Sequence, residues 1–281
     1  MTDHVEGKVV VVTGAASGFG RLVAQMVAAR GAAVIVADVD DEGLEATAAS
    51  IRTAGGRVVA RRTDVTDRAD MAALAADAVA ELGAIDVLVN NAGIMPLAFY
   101  ADHAEAADAW DRCIDVNLRG VLNGIMAVHD QMIDQGRGQI VNISSIYGNT
   151  PVAGSAVYTA TKAAVNVLSE TLRIESQGKI KVTVVKPTGV PGTNLGSTMV
   201  NGDAMIGILG QNAASFGEKA GIVFGAVDSP ERAAMTDPDD IRYWAISPEE
   251  LAAQIVYVID QPWGISISDI TVRAAGDQYL S

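Results

Sequence analysis

The chain has 281 residues, 49% of them apolar and 19% charged, which is enough apolar content for a sizeable core and unlike the composition of a disordered chain. Lys plus Arg number 20 against 34 Asp plus Glu, a formal net charge of −14. A field of that sign repels phosphate backbones and anionic lipid, and so argues against nucleic-acid or membrane partners. A single cysteine, Cys113, excludes an internal disulfide, and His4, His103 and His129 lack paired-ligand spacing, so no metal site is expected.

Residues 1–8 are polar, without the basic segment and apolar segment of a secretory signal. No apolar run approaches the roughly 18 residues of a membrane span, and a soluble, cytoplasmic protein is expected. Short, continuously apolar runs follow at 9–12, 33–37, 57–61, 87–89, 139–143 and 182–185. Such runs suit strands covered on both faces, as in a parallel sheet. Between them, 21–30, 42–53, 68–81 and Ala156–Glu175 have helical content and length. The alternation predicts right-handed βαβ units in an α/β fold, a doubly wound Rossmann-type parallel sheet of about seven strands with helices on both faces. No repeat or low-complexity linker divides the chain, so residues 1–281 read as one domain. From 188 to 240 the pattern breaks into a long, irregular, partly apolar insertion, expected to form a substrate-binding lid or, alternatively, to pack on the core or on another subunit. A helix at Pro248–Ile259 and a strand at Asp269–Val272 are expected to complete the sheet.

The first run ends in Thr13, Gly14, Ala15, Ala16, Ser17, Gly18, Phe19 and Gly20, and a helix follows at once. Backbone N–H groups and the helix N-terminus of such a turn can receive a pyrophosphate. Glycine is needed where the chain turns tightly or where a side chain would block the phosphates. Asp38 closes the second run, eighteen residues beyond Gly20, where an acid can hydrogen-bond the adenosine ribose diol. A carboxylate there repels the 2′-phosphate of NADP, and no Arg or Lys lies at 15–17 or 39–41, so NAD is the expected cofactor. Asp38 could instead cap the following helix.

The pattern Thr13-Gly14-x-x-x-Gly18-x-Gly20 resembles the cofactor motif of the short-chain dehydrogenases/reductases. Asp64 and Val65 resemble that family's adenine-contacting pair, and Asn90, Asn91, Ala92 and Gly93 its motif after the fourth strand. The resemblance runs from about Lys8 to the C-terminus and is weakest across 188–240. It implies cofactor contacts from Gly14, Ser17, Gly18, Phe19, Gly20, Asp38, Asp64, Val65, Asn91, Ala92 and Gly93, and a homotetramer or dimer with helices around 108–131 and Ala156–Glu175 at one interface.

Tyr158 and Lys162 lie four residues apart on one face of a predicted helix, and Ser145 precedes the tyrosine by thirteen residues at the end of a predicted strand. A phenol, an ammonium and a hydroxyl around a nicotinamide suffice for carbonyl reduction or the reverse. The phenol moves the proton, the ammonium lowers its pKa, and the hydroxyl holds the substrate oxygen. A free tyrosine titrates near 10, so a base working around pH 7–8 requires stabilisation of the phenolate by about 3–4 kcal/mol. An ammonium and the charge of an oxidised nicotinamide can supply that in a partly desolvated cleft. The resemblance further implies that Lys162 binds the nicotinamide ribose and that Asn117 orders a water near it; otherwise Asn117 bends its helix through a side-chain bond.

The family's Pro-Gly-x-Val-x-Thr segment is altered here to Pro187, Thr188, Gly189, Val190, Pro191, Gly192 and Thr193. Pro187, Val190 and Thr193 are expected to keep the nicotinamide carboxamide, and Thr188 is brought toward the substrate. With Met95, Ser145, Ile146, Tyr147 and Tyr158, it suggests a pocket for a medium-sized, mainly apolar secondary alcohol or ketone, terpenoid, alicyclic or aryl-alkyl. Alternative expectations are a 3-oxoacyl thioester reductase and, more remotely, an NAD-binding regulator without chemistry.

Overall fold

Val9 to Val12 are all β-branched and fully covered, and they open a strand, β1 (Val9–Thr13), in a computed structural model that describes residues 3–279. The chain continues through α1 (Gly18–Ala29), β2 (Ala33–Asp38), α2 (Asp41–Thr53), β3 (Arg57–Arg62), α3 (Arg68–Leu82) and β4 (Val87–Asn90). Then come α4 (His103–Ile114), α5 (Gly120–Asp134), β5 (Gly138–Ile143), α6 (Ala156–Glu175) and β6 (Ile180–Pro187). Last are α7 (Ala204–Leu209), α8 (Ala213–Phe224), α9 (Pro230–Thr236), α10 (Pro248–Ile259) and β7 (Asp269–Val272).

The seven strands form one parallel sheet in the order β3-β2-β1-β4-β5-β6-β7. Successive side chains of a strand point to opposite faces, and the core divides accordingly. Val10, Val12, Val34 and Val36 join Val23 and Val27 of α1, Leu44 and Ile51 of α2, and Leu251 and Ile255 of α10. Val11, Ile35 and Leu88 join Met71 and Leu74 of α3, Val121 and Val128 of α5, and Val165 and Leu172 of α6. Helices thus cover both faces, and the strand order reverses between β1 and β4, opening a crevice at their C-terminal ends.

The helix starts follow capping chemistry. Asp40 accepts from Gly43 N at 3.1 Å to cap α2, and Asp67 accepts from Ala69 N at 2.7 Å to cap α3. Ser247 and Glu250 form a reciprocal capping box on α10, with Pro248 in its first turn. Between α4 and α5, residues 115–119 make a π-helical turn around the fully buried Asn117.

The segment expected to be irregular is largely helical, and this corrects the sequence reading. The six-residue α7 gains its helicity by packing, and its Ile208 and Leu209 join Phe216 of α8 against Leu97, Ile146 and Tyr147 in a third apolar cluster.

A polar thread runs through the middle of the sheet. Asn90 Nδ2 donates to Asn142 Oδ1 at 2.8 Å, and Asn142 Nδ2 donates to Ser169 Oγ on α6 at 2.8 Å. Gly124 of α5 makes room for it, since a Cβ there would run into the Asn90 amide. Gly124→Ala is therefore expected to lower the unfolding free energy by about 1–3 kcal/mol through overpacking. Denaturant melts check this, and an unchanged midpoint would show that the thread yields freely.

Candidate active site

Gly14 has φ +66°, and a Cβ on it would lie 2.8 Å from Ala92 Cα, so no other residue fits the turn after β1. Gly18 also has positive φ, at +52°. Gly20 packs the start of α1 against the turn, where a Cβ would collide with the Gly14 carbonyl. Asn91, just past β4, stitches the two strand ends together: its Nδ2 donates to Thr13 O at 2.9 Å and Gly14 O at 3.0 Å. Its backbone N–H donates to Thr13 Oγ1 at 3.1 Å.

A cleft of about 670 Å3 opens above this turn. Gly14, Ser17, Gly18, Phe19, Asp38, Asp64, Val65, Asn91, Ala92, Gly93 and Thr193 line it. Gly20 does not, because it serves packing. Asp38 Oδ2 accepts from Ala16 N at 3.0 Å, and Oδ1 accepts from Val39 N at 2.7 Å and Asp40 N at 3.1 Å. Asp40, not Asp38, caps α2. Among the described residues, the only cation lining the cleft is Arg112 of α4, against the carboxylates of Asp38, Asp64, Asp108, Asp111 and Asp115. Arg21 is engaged by Thr47 Oγ1 at 2.9 Å and the Ala16 carbonyl. The glycine cradle, the N-terminus of α1 and an acid at the far end together fit a dinucleotide.

Ser145, Tyr158 and Lys162 are brought together at the ends of β5 and α6. Ser145 is extended, φ −163°, and its Oγ accepts from Tyr147 N at 3.2 Å. Lys162 Nζ lies 5.7 Å from the Tyr158 ring centroid and donates to Ile143 O at 2.8 Å. Asn117 grips the backbone of Ile94 at both ends, accepting from its N–H at 2.9 Å and donating to its carbonyl at 2.8 Å. Gly93 sits between these groups: a Cβ there would be 3.4 Å from Asn117 Oδ1 and 3.6 Å from Lys162 Nζ.

Burial dominates the protonation of this group. It pushes Tyr158 up to about 12, against the opposing effect of the Ser145 hydroxyl, and pulls Lys162 down to about 8. The Lys162 ammonium is itself weakened by desolvation, and one of its protons goes to the Ile143 carbonyl. Cys113, beside Asn117, is likewise raised by burial, to about 11.

A second cavity, of about 350 Å3, meets the cleft at Phe19, Thr193 and Leu195. Met95, Ser145, Tyr147, Tyr158, Pro187, Thr188 and Val190 line it. Ile146, expected among them, is corrected: at 1% exposure it turns inward and packs with Leu97 and Cys113. The far wall joins Phe216, an apolar residue of the insertion expected to face the substrate, to Trp244 and Tyr279, which the sequence did not point to. The Phe216 ring lies tilted against Trp244 at 4.7 Å and edge-to-face with Tyr279 at 5.5 Å, centroid to centroid. The Tyr279 ring lies so close over Gly189 that a Cβ there would overlap it, the one local signal of this contact. The loop after β6 crosses above, with Met95 N donating to Thr198 Oγ1 at 2.8 Å and Val200 N to Leu97 O at 3.1 Å. Among the described residues, no cluster of three His, Cys, Asp or Glu side chains is placed to hold a metal, and no helix is long and apolar enough to cross a membrane.

The family model for short chain dehydrogenase matches residues 8–203. An uncharacterized oxidoreductase of Listeria innocua is 32% identical over 268 residues, 95% of this chain and 96% of that protein. A 2,5-dichloro-2,5-cyclohexadiene-1,4-diol dehydrogenase of Sphingobium indicum is 36% identical over 191 residues, 68% of this chain and 76% of that protein. Among solved structures, a levodione reductase superposes with TM-score 0.76 at 26% identity, over 96% of this chain and 97% of that one. The closed form of a serine dehydrogenase complexed with NADP+ superposes with TM-score 0.77 at 27% identity, over 97% of both chains.

The lowered pKa of Lys162 has a consequence for stability. Below pH 8 the folded protein holds a buried ammonium; between about 8 and the ordinary 10.5 the unfolded chain keeps a proton that the folded one has released. The stability contributed by Lys162 therefore rises with pH across that window, by up to about 3 kcal/mol at ~1.4 kcal/mol per pH unit. The unfolding free energy of wild type minus that of Lys162→Met is expected to climb between pH 7.5 and 10. A flat difference would mean that Lys162 titrates normally.

Proposed function

The chain belongs to the short-chain dehydrogenase/reductase family, and from that premise we propose that it is an NAD-dependent dehydrogenase interconverting a secondary alcohol and a ketone. The observation that carries this reading is the placing of Tyr158 and Ser145 in the wall of a mainly apolar cavity that opens onto a dinucleotide-fitting cleft. Bound NAD supplies the hydride acceptor, and NADH the donor. Ser145 holds the substrate oxygen, and Tyr158 takes the alcohol proton in oxidation or gives it in reduction. Lys162 sets a positive charge behind the phenol and reaches toward the nicotinamide ribose, while Asn117 fixes the 93–94 backbone against them. Pro187, Val190 and Thr193 hold the carboxamide end.

The preference for NAD rests on Asp38. Its carboxylate accepts three backbone N–H bonds at the edge of the cleft, where it can take a ribose diol and repels a 2′-phosphate. The cleft otherwise carries mostly acids. The NADP bound to the solved serine dehydrogenase belongs to that protein, and at this position the side chain decides. A medium-sized alicyclic or terpenoid substrate suits the aromatic wall, and the cyclic diol named for the Sphingobium relative agrees with it. Exposed apolar side chains on α5 (Leu122, Met126) and α6 (Val167, Ile174) favour assembly into a homotetramer or dimer of a cytoplasmic protein.

Two experiments test this reading. Tyr158→Phe is expected to lower kcat with secondary alcohols by roughly a thousand-fold while cofactor affinity, followed by fluorescence titration, stays within a few-fold; retained turnover removes Tyr158 as the proton carrier. Asp38→Ser is expected to shift the kcat/KM ratio of NAD to NADP by ten-fold or more toward NADP. A wild type that already prefers NADP would sink the assignment of Asp38.

A further inference from the structure

We propose that the substrate carries a second, uncharged oxygen, a hydroxyl or a carbonyl, and that Tyr147 and Thr188 bind it. The inference rests on the dehydrogenase reading only for which oxygen reacts.

Tyr147 is 5% exposed and Thr188 8% exposed, and both line the 350 Å3 cavity beside Ser145 and Tyr158. The Tyr147 hydroxyl and Thr188 Oγ1 are buried with no hydrogen-bond partner among the described residues. Native proteins rarely leave buried hydroxyls unpaired, because desolvation without a replacement bond is unfavourable. Two such groups in one cavity, next to the reacting pair, mark the place of a ligand atom that satisfies both.

Backbone geometry puts them there for reasons unrelated to their own hydroxyls. Tyr147 lies in the turn directly after Ser145. Thr188 is anchored by its N–H, which donates to Val272 O at 3.1 Å, so its side chain is not needed to hold the loop. Ser144 N donates to Val185 O at 2.8 Å, which keeps the ends of β5 and β6 side by side at strand spacing. Both side chains accordingly line the same cavity as the reacting pair.

Charge narrows the ligand class. Burial raises Tyr147 well above the ordinary tyrosine range, so it stays a neutral O–H donor. The cation whose charge acts on Tyr147, Arg273, pairs with Asp277 at 2.6 Å and donates to Tyr279 O at 3.2 Å. A carboxylate or phosphate would thus meet no counter-charge of its own, whereas a hydroxyl or ketone oxygen finds one donor and one donor–acceptor. Met199, Met205, Ile208 and Phe216 offer apolar contact to the carbon skeleton of the remainder. Together these features describe a carbocyclic diol or hydroxyketone, in a cavity near the small end of the roughly 300–1,000 Å3 typical of ligand sites.

The test compares cyclohexanol with cyclohexane-1,2-, 1,3- and 1,4-diol, by calorimetric binding to protein saturated with reduced cofactor and by initial rates of oxidation. At least one diol is expected to bind ten-fold or more tightly than the mono-alcohol. Tyr147→Phe and Thr188→Val keep the shape of each side chain, and each is expected to cut that discrimination several-fold, with the double variant erasing it. Equal binding of all four compounds, binding of none, or variants that weaken diol and mono-alcohol alike would overturn the proposal. So would a Thr188→Val variant that loses cofactor affinity instead of diol preference. A diol preference in binding with no turnover of any alcohol would remove the dehydrogenase reading and leave the second-oxygen site standing.

Discussion

The amide of Asn91 holds together the two strand ends on which the cleft depends. Parallel strands β1 and β4 are neighbours, and Thr13 and Asn90 are their last residues. Asn91 Nδ2 donates to both, at 2.9 and 3.0 Å, and Thr13 Oγ1 accepts the Asn91 N–H in return. With the carbonyls so satisfied, the donors of the glycine turn are left to face the cleft. The arrangement tolerates no side chain at Gly14 or Gly20, each of which would meet Asn91 itself. The glycine spacing is therefore a packing requirement of this amide as much as a requirement of any phosphate.

From Asn91 the constraint passes along the backbone to the reacting groups. Gly93 touches the surroundings of Asn117 and Lys162, and Asn117 clasps Ile94 from the π-helical turn between α4 and α5. The extra residue of such a turn breaks the regular i,i+4 bonding and lets a buried amide face a neighbouring segment. The same enclosure governs protonation. Low polarity disfavours phenolate and ammonium alike, so Tyr158 is raised and Lys162 lowered by one cause. At neutral pH the phenol is the protonated, acid-ready form suited to ketone reduction. Alcohol oxidation requires further positive charge beside it than a desolvated lysine provides.

The parts legible in the sequence were those in which a local pattern carries the physics. Unbroken valine runs located the strands, and the glycine turn and the Tyr158–Lys162 spacing located the residues that the fold brings together. Boundaries suffered where charge interrupts a strand: β6 extends from Ile180 to Pro187 although it holds Lys181 and Lys186. Lys181 remains inside by donating to the carbonyls of Gln261, Pro262 and Ile265, and Lys186 pairs with Asp269 of the adjoining strand. Neither partner can be inferred from residues eighty positions away. Ile146 failed for a similar reason, since a tight turn after Ser145 alternates which side chain meets the cavity, and Tyr147 rather than Ile146 does so. Within the insertion, α7 is only six residues long and owes its existence to tertiary packing that periodicity does not record.

The substrate cavity is thus assembled from two kinds of structure with different demands. Its reacting wall comes from strand ends and the long α6, because a proton transfer requires hydrogen-bond accuracy that only rigid elements supply. Its opposite wall comes from the insertion and residues 244–279, which are tied to each other by side-chain hydrogen bonds. Gln278 O accepts from Asn212 Nδ2 at 2.8 Å, its side chain donates to Ser215 Oγ at 2.5 Å, and Trp244 Nε1 donates to it at 3.4 Å. Tyr279 then lies over Gly189, so the tail, the loop after β6 and α8 shape one surface jointly. A change in any of the three repositions the others against a fixed reacting pair. Substrate size can therefore vary through these segments without disturbing Ser145, Tyr158 and Lys162, and this is why the chemistry is written in local motifs while the substrate is written in contacts between distant parts of the chain.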